Sequence, residues 1–239
     1  MKNERFGTWL LCVLALATGA VRAQETPSPG PAAELRLRVV PSQPGKARAM
    51  PAVLWLEPLP GTAALPFLPH GRYTLLQKNR TFLPHVQVVP VGSVVQFPNV
   101  DPFFHNVFSL FDGKRFDLGL YEAGSSQSVT FSRQGVSYIF CDIHPEMSAV
   151  ILTLSTPLYS IADASDAFVV RDVPPGDYKL RFWIEGVPQS VLSGLDRRVH
   201  LPPRAVDLGP IEVPIPRVGN DAHKNKFSEA YPPDAQSTY

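Results

Sequence analysis

The chain has 239 residues, 22 basic and 21 acidic side chains, six histidines and 26 prolines, with 44% hydrophobic residues and a formal net charge of +1. That length admits one large or two modest domains, and so many prolines argue against long helices. The near-neutral charge gives no reason to expect nucleic-acid binding or a polybasic membrane contact.

Residues 1–23 read as a secretory signal. Lys2 and Arg5 precede an apolar run over 9–17, and Val21-Arg22-Ala23 ends in a small residue at the cleavage position. The run is too short to span a membrane permanently, so no integral membrane segment is expected after cleavage. Cys12 follows Leu11 and lacks the small residue that a lipoprotein site needs before its cysteine. Cleavage removes three basic residues and one acidic residue, which leaves 19 against 20 and a net charge of −1. It also leaves Cys141 as the sole cysteine. An exported, periplasmic or secreted chain with one cysteine forms no internal disulfide, and a thiol there is a liability unless something occupies it.

Residues 24–32, with Pro27, Pro29, Gly30 and Pro31, predict a flexible leader. Leu35-Arg36-Leu37-Arg38-Val39 alternates apolar and basic side chains, the period of a half-buried strand. After a turn-rich Pro41-Ser42-Gln43-Pro44-Gly45, Ala52-Val53-Leu54-Trp55-Leu56-Glu57 predicts a more buried strand. Residues 73–77 suit a short strand; residues 85–91 and 93–97 suit two more, with Gly92 as the bend. Pro84 and Pro90 mark strand ends or edges. Strand pattern resumes over 106–110, 126–131, 136–140 and 149–154, with an Asp-Gly turn at Phe111-Asp112-Gly113-Lys114. No segment has a sustained helical period, so the expectation is an all-β chain of short strands.

Just beyond the strand at 136–140 stands Cys141-Asp142-Ile143-His144-Pro145-Glu146-Met147. It places a thiol, an imidazole and a thioether at C-x2-H-x2-M spacing. A second histidine, His105, lies upstream in Asp101-Pro102-Phe103-Phe104-His105-Asn106-Val107. A lone cysteine is usually a small buried hydrophobe and a methionine is usually core filler. Two imidazoles, one thiolate and a weak axial thioether together are the donor set of a blue-copper electron-transfer centre, acceptable to both Cu(I) and Cu(II).

These residues resemble the cupredoxins, and among them the amicyanin- and plastocyanin-like blue copper proteins of the methylamine-utilisation type. The two-residue gap between His144 and Met147 matches the short amicyanin-like ligand loop. Val91-Gly92-Ser93-Val94-Val95-Gln96-Phe97-Pro98-Asn99 resembles the strand leading to the site. The resemblance implies a Greek-key β-sandwich with one type 1 copper held by His105, Cys141, His144 and Met147. It also implies that Asn99 braces the ligand loop from just outside the donor set, and that the edge of His144 faces solvent inside an apolar collar. One such unit, without a C-x3-C pair, is too little for a dinuclear purple-copper site, a multicopper oxidase or a usual nitrite reductase. Ser132, Ser137 and Asp142 match no hydrolase motif.

From residue 157 a second pattern starts. Ala167-Phe168-Val169-Val170-Arg171-Asp172-Val173, Pro174-Pro175-Gly176 and Asp177-Tyr178-Lys179-Leu180-Arg181-Phe182-Trp183 read as strand, turn, strand. This stretch resembles the small carboxypeptidase-regulatory, transthyretin-like β-sandwich, with Asp163-Ala164-Ser165-Asp166 in place of the usual glycine turn. Residues 198–201 and 205–213 can complete its sheet. The expected organisation is a signal at 1–23, a leader at 24–32 and a cupredoxin domain over 33–155. A second sandwich over 156–213 and a disordered tail over 214–239 follow. The strands within 33–57 are open to either domain.

The function so implied is single-electron carriage between redox partners, a dehydrogenase or a cytochrome, by a monomer that is not itself an enzyme. The alternative is a copper carrier or a module that binds a partner or glycan. Carriers usually show Met- or His-rich tracts, whereas the mature chain has only Met50 and Met147. His85 is expected as a surface strand-end histidine, with an outer-shell role or metal ligation open; His70 and His200 are expected in solvent.

Overall fold

The computed structural model describes residues 32–42, 50–110, 113–214, 224–227 and 229–230. The expected signal, nearly all of the leader, part of the turns at 41–45 and 111–114 and most of the expected tail lie outside the described residues.

The strands run β1 (Ala33–Pro41), β2 (Ala52–Pro58), β3 (Tyr73–Thr74), β4 (Leu76–Lys78), β5 (Thr81–Leu83), β6 (Val86–Pro90), β7 (Ser93–Pro98), β8 (His105–Ser109) and β9 (Phe116–Tyr121). They continue with β10 (Ser126–Phe131), β11 (Gly135–Phe140), β12 (Ser148–Leu154), β13 (Tyr159–Ile161), β14 (Ala167–Val173) and β15 (Gly176–Ile184). A short helix, α1 (Gln189–Leu195), precedes β16 (Arg197–Leu201) and β17 (Val206–Val213). The fold is therefore mostly β with one short helix, a correction to the all-β expectation. At seven residues α1 is too short to display a helical period, and it buries only Leu192. Pro188 at its N-cap, with carbonyl oxygen accepting from the amides of Val191 and Leu192, starts it where proline costs no hydrogen bond.

Local sequence explains most of the strands. In β7, Ser93, Val95 and Phe97 point inward while Val94 is exposed, and Gly92 supplies the bend before it at φ +92°. β1 buries Ala33, Leu35, Leu37 and Val39 and exposes Arg36 and Arg38. β9 carries Asp117 and Gly119, which weaken its strand pattern; pairing with β8 holds it in place. The Asp163 carboxylate accepts the amides of Ser165 and Ala167, and Asp166 adopts φ +58°, so aspartates make the turn before β14.

Two sheets ordered β6-β12-β11-β8-β9 and β10-β7-β3, with the β4-β5 hairpin, surround one core. Two others, β14-β1-β17 and β13-β2-β15-β16, surround a second. The early strands belong to the later unit: β1 lies between β14 and β17, and β2 lies between β13 and β15. The two units also share a wall. Along β12, Ala149 and Ile151 enter the first core, whereas Val150, Leu152 and Leu154 enter the second. The pleat turns successive side chains to opposite faces, so one strand serves both cores and is buried almost throughout.

Polar contacts reinforce that wall. Trp183 Nε1 donates to the Tyr138 hydroxyl at 3.1 Å, and Gln134 Nε2 donates to Glu57 Oε1 at 2.7 Å. His85, at the entry to β6, places Nδ1 at 3.1 Å from the Ser148 carbonyl oxygen and Nε2 at 2.6 Å from Glu185 Oε1. Only the doubly protonated ring satisfies both acceptors.

The hydrogen bond to Glu185, against the opposing effect of burial, raises the His85 pKa above its ordinary 6.5. A raised folded-state value means that the imidazolium stabilises the fold fully below about pH 6.5 and that this contribution is lost as pH rises through the raised value. Both side chains are 39% exposed, so solvent screening keeps the effect below about 1 kcal/mol. Urea unfolding is expected to show stability declining by up to that amount as pH rises from about 6.5 through the raised value, with a flatter profile for His85→Gln. An equally steep profile in the variant would assign the pH dependence to other groups.

Candidate metal centre

The site is built from two chain segments that the first sandwich brings to one end. The first is the turn between β7 and β8. Asn99, fully buried, accepts the Asp101 amide at its Oδ1 and donates from Nδ2 to the Phe103 carbonyl oxygen at 2.8 Å. These bonds brace the turn that delivers His105, where the resemblance implied a brace on the ligand loop. β8 then runs inward with all five residues buried.

The Asp101 carboxylate organises this segment. It accepts the amides of Asn79 at 2.6 Å and Arg80 at 3.0 Å, and His105 Nε2 at 2.8 Å. Asn79 and Arg80 join β4 to β5, and both have φ +54°. Two adjacent left-handed residues suit a two-residue hairpin turn but cost about 1–3 kcal/mol each for non-glycine residues. Accepting both amides offsets part of that cost. The Arg80 guanidinium lies 5.3 Å from the centre of the Phe103 ring. That ring packs against His105 and His144, at centroid distances of 5.3 and 5.6 Å.

The second segment is the seven-residue loop from Cys141 to Met147. The pair Phe140 and Ser148 closes it in the β11–β12 ladder. Inside it, the Cys141 amide donates to the Met147 carbonyl oxygen at 3.2 Å and the Met147 amide to the His144 carbonyl oxygen at 3.0 Å. Backbone bonds therefore fix the loop's span independently of any side chain.

The two segments bring His105 Nδ1, His144 Nδ1 and Cys141 Sγ within 4.8 Å of one another. The sulfur is 3.7 Å from His105 Nδ1 and 3.4 Å from His144 Nδ1, with the ring centres 4.8 Å apart. Metal bonds of about 2.0–2.1 Å to imidazole and about 2.3 Å to thiolate, meeting near 110–120°, would separate nitrogen from sulfur by roughly 3.6–3.8 Å. The separation of 3.7 Å falls in that range and that of 3.4 Å just below it, so the sulfur stands at a spacing from both imidazoles that suits one ion. Met147, from the same loop, is fully buried in the same core as Cys141. The cluster of His105, Cys141, His144 and Met147 is consistent with a type 1 copper site.

Electrostatics prepare the donors. Burial lowers the His105 pKa against the pull of Asp101, and burial together with the His105 and Arg80 charges pushes His144 down to about 4. Both imidazoles are thus held neutral, as ligands must be. Burial raises the Cys141 thiol, while the amides of Asn106, Ile143 and His144 favour its thiolate. Burial pulls the Asp101 carboxyl upward, yet its amide and imidazole partners hold it below the ordinary range. An ionised Asp101 fixes the proton of His105 on Nε2 and aims the Nδ1 lone pair at the cluster.

Other expected residues fall as follows. His144 retains 7% exposure whereas His105 and Cys141 retain none, so an edge of His144 reaches the surface. Phe103 packs on the histidines and Phe104 is 55% exposed. His85 engages Glu185 and Ser148. His200 pairs with Asp177 and His70 with Tyr73, both at the exposed surface. Sequence reasoning assigned no role to Asp101. Its signal is weak, because an acid four residues before a histidine suggests contact only on a helix, and here a turn makes the contact.

No protein-family model matches the chain, and no curated protein matches it. Among solved structures it is similar to a purple cupredoxin from Nitrosopumilus maritimus, 22% identical over 36% of this chain and all of that one, at a TM-score of 0.32. It is similar to a copper-containing nitrite reductase from Thermus scotoductus SA-01, 25% identical over 49% of this chain and 28% of that one, at 0.33. It is also similar to a point mutant of amicyanin in its reduced Cu(I) form, 17% identical over 42% of this chain and 98% of that one, at 0.34. Likenesses this remote assign no activity. The portion from β3 to β12 is a cupredoxin-like β-sandwich by its own strand arrangement and the loop it carries.

Asp101→Asn removes the charge that orients His105 while leaving the turn's size unchanged. Copper affinity is expected to fall by about 10- to 100-fold, measured by competition with a chelator of known affinity. An unchanged affinity would mean that packing alone orients the ring.

Proposed function

We propose that this chain is an exported type 1 copper protein that carries single electrons between redox partners. The observation that carries this reading is the buried convergence, within 4.8 Å, of donor atoms of His105 at the start of β8 and of Cys141 and His144 on a loop that also supplies Met147. Copper bound there supplies a one-electron couple stable in both oxidation states.

The chain's residues supply the rest. Cys141 gives up its proton on ligation, so binding is coupled to proton release. Asp101 holds His105, and the backbone bonds between Cys141, His144 and Met147 hold the loop, so the donors need not move when the charge of the site changes. Burial of three of the four donors to zero exposure supports electron transfer over ion delivery, because a carrier must open its ligands to exchange. The same burial supports a carrier of electrons rather than an enzyme, which keeps a metal position open to substrate. Export follows from residues 1–23, and the unit built on β13–β17 with β1 and β2 reads as a carboxypeptidase-regulatory-like sandwich.

The purified mature protein is expected to bind one copper and turn intensely blue when oxidised. Cys141→Ser should abolish the colour, whereas Met147→Leu should keep the copper and shift its potential. A colourless Cu(II) complex of the native protein would overturn the assignment.

The docking surface for a dehydrogenase or cytochrome partner is read at the His144 edge, where Phe104 stands exposed beside Phe103. The exposed Phe104 ring, with the Arg80 guanidinium over the neighbouring Phe103 ring, suits a small contact that must dissociate quickly. Phe104→Lys is expected to slow electron exchange with the partner about tenfold while leaving the absorption spectrum unchanged, a change of about 1.4 kcal/mol in the encounter. Unaltered exchange kinetics would move the docking surface elsewhere.

A further inference from the structure

A described part of the C-terminal segment, residues 224–227, lies against the loop that follows Cys141. Lys226 anchors it there. The Lys226 amide donates to Asp142 Oδ1 at 2.9 Å, and Lys226 Nζ lies 3.0 Å from Asp117 Oδ2 and 3.7 Å from Asp142 Oδ2. Asp142 is the residue after Cys141, and its other chain neighbour, Ile143, gives one of the amides that favour the Cys141 thiolate. Asp117, on β9, accepts Asn106 Nδ2 at 2.6 Å through its Oδ1. Asn106 is the residue after His105, is 1% exposed, and gives a second amide that favours the same thiolate. One lysine therefore reaches the residue following each of two metal donors, directly at Asp142 and through Asp117 at Asn106.

We propose that Lys226 is a positioning residue for the metal centre: by bridging Asp117 and Asp142 it holds the Asn106 and Ile143 amides against the Cys141 sulfur and so sets the reduction potential. This rests on the function proposed above. The physical argument has two parts of the same sign. Hydrogen bonds to a ligating sulfur withdraw charge from it and favour the reduced, more electron-rich state. An ammonium beside two carboxylates also cancels negative charge that would otherwise favour the oxidised, more positive ion. An isolated surface ion pair is weak because two mobile side chains must be ordered. Here the Lys226 amide is fixed on Asp142, and Asp117 is fixed by Asn106 and by the Gly119 amide at 2.9 Å, so less freedom remains to be lost.

The test uses the full mature chain as wild type, Lys226→Met and Lys226→Arg, with two readouts. In the metal-free protein, amide NMR shifts of Asn106 and Ile143 are expected to move in Lys226→Met and to return toward wild type in Lys226→Arg. In the copper-loaded protein, Lys226→Met is expected to lower the potential by a three- to tenfold change in relative Cu(I) and Cu(II) affinity, at most about 59 mV for one electron. Unmoved amides overturn the proposal even if the potential falls, because charge alone would then be acting. Moved amides with an unchanged potential overturn it as well. If wild type forms no blue complex, the electron-transfer reading fails, while the metal-free amide shifts still decide whether Lys226 positions the Asn106 and Ile143 amides.

Discussion

Burying two imidazoles and a thiol with their donor atoms within 4.8 Å is unfavourable unless a cation joins them. Burial disfavours the charged form of each group, which holds both histidines neutral and raises the thiol. The single thiol proton can serve only one of the two Nδ1 acceptors, which leaves the other imidazole nitrogen without a donor in this cluster. A single ion with two nitrogen and one sulfur bonds removes that conflict, deprotonates the thiol and returns free energy to the fold. The scaffold must therefore hold the donors in place against their own electrostatics, and much of the surrounding architecture can be understood as that restraint.

The restraint comes from opposite sides by different means. The Cys141–Met147 loop is short and closed by a strand ladder, so backbone hydrogen bonds suffice. His105 opens β8 opposite Tyr121, and the irregular turn over 100–104 that delivers it lies outside the named strands. Side chains take over there: Asn99 ties the turn, and Asp101 ties the imidazole to the Asn79–Arg80 hairpin. That hairpin accepts two left-handed residues, a local cost tolerated where it secures a functional geometry. Phe103 packs against both rings, whose centres lie 4.8 Å apart, and so restricts the rotation of each.

How much of this was legible in the sequence follows from the range of each interaction. His105, Cys141, His144 and Met147 were legible because soft sulfur and imidazole donors in that order suit a copper ion better than they suit a core or a surface. β1 and β7 were legible because their alternation has period two. The helix α1 was not, because seven residues with one buried side chain leave no periodic trace. β9 was missed because Asp117 and Gly119 interrupt its pattern, and both serve other purposes. Asp117 accepts Asn106, and Gly119 turns at φ +68°. Asp101 carried no signal, since its contacts join residues 79, 80 and 105 across a turn that only the folded chain defines.

The placement of β1 and β2 is the least local feature, and it bears on the continuous burial of two strands. β2 reads Ala-Val-Leu-Trp-Leu and lies between β13 and β15, so an uninterrupted apolar run is what a central strand requires. β12 is apolar on both faces for another reason, since its two faces belong to different cores. Ile151 on one face and Leu152 on the other connect the metal-bearing sandwich to the second unit through one backbone segment, which begins directly after Met147. The second core therefore packs against the strand that leaves the ligand loop, whose closing pair is Phe140 and Ser148.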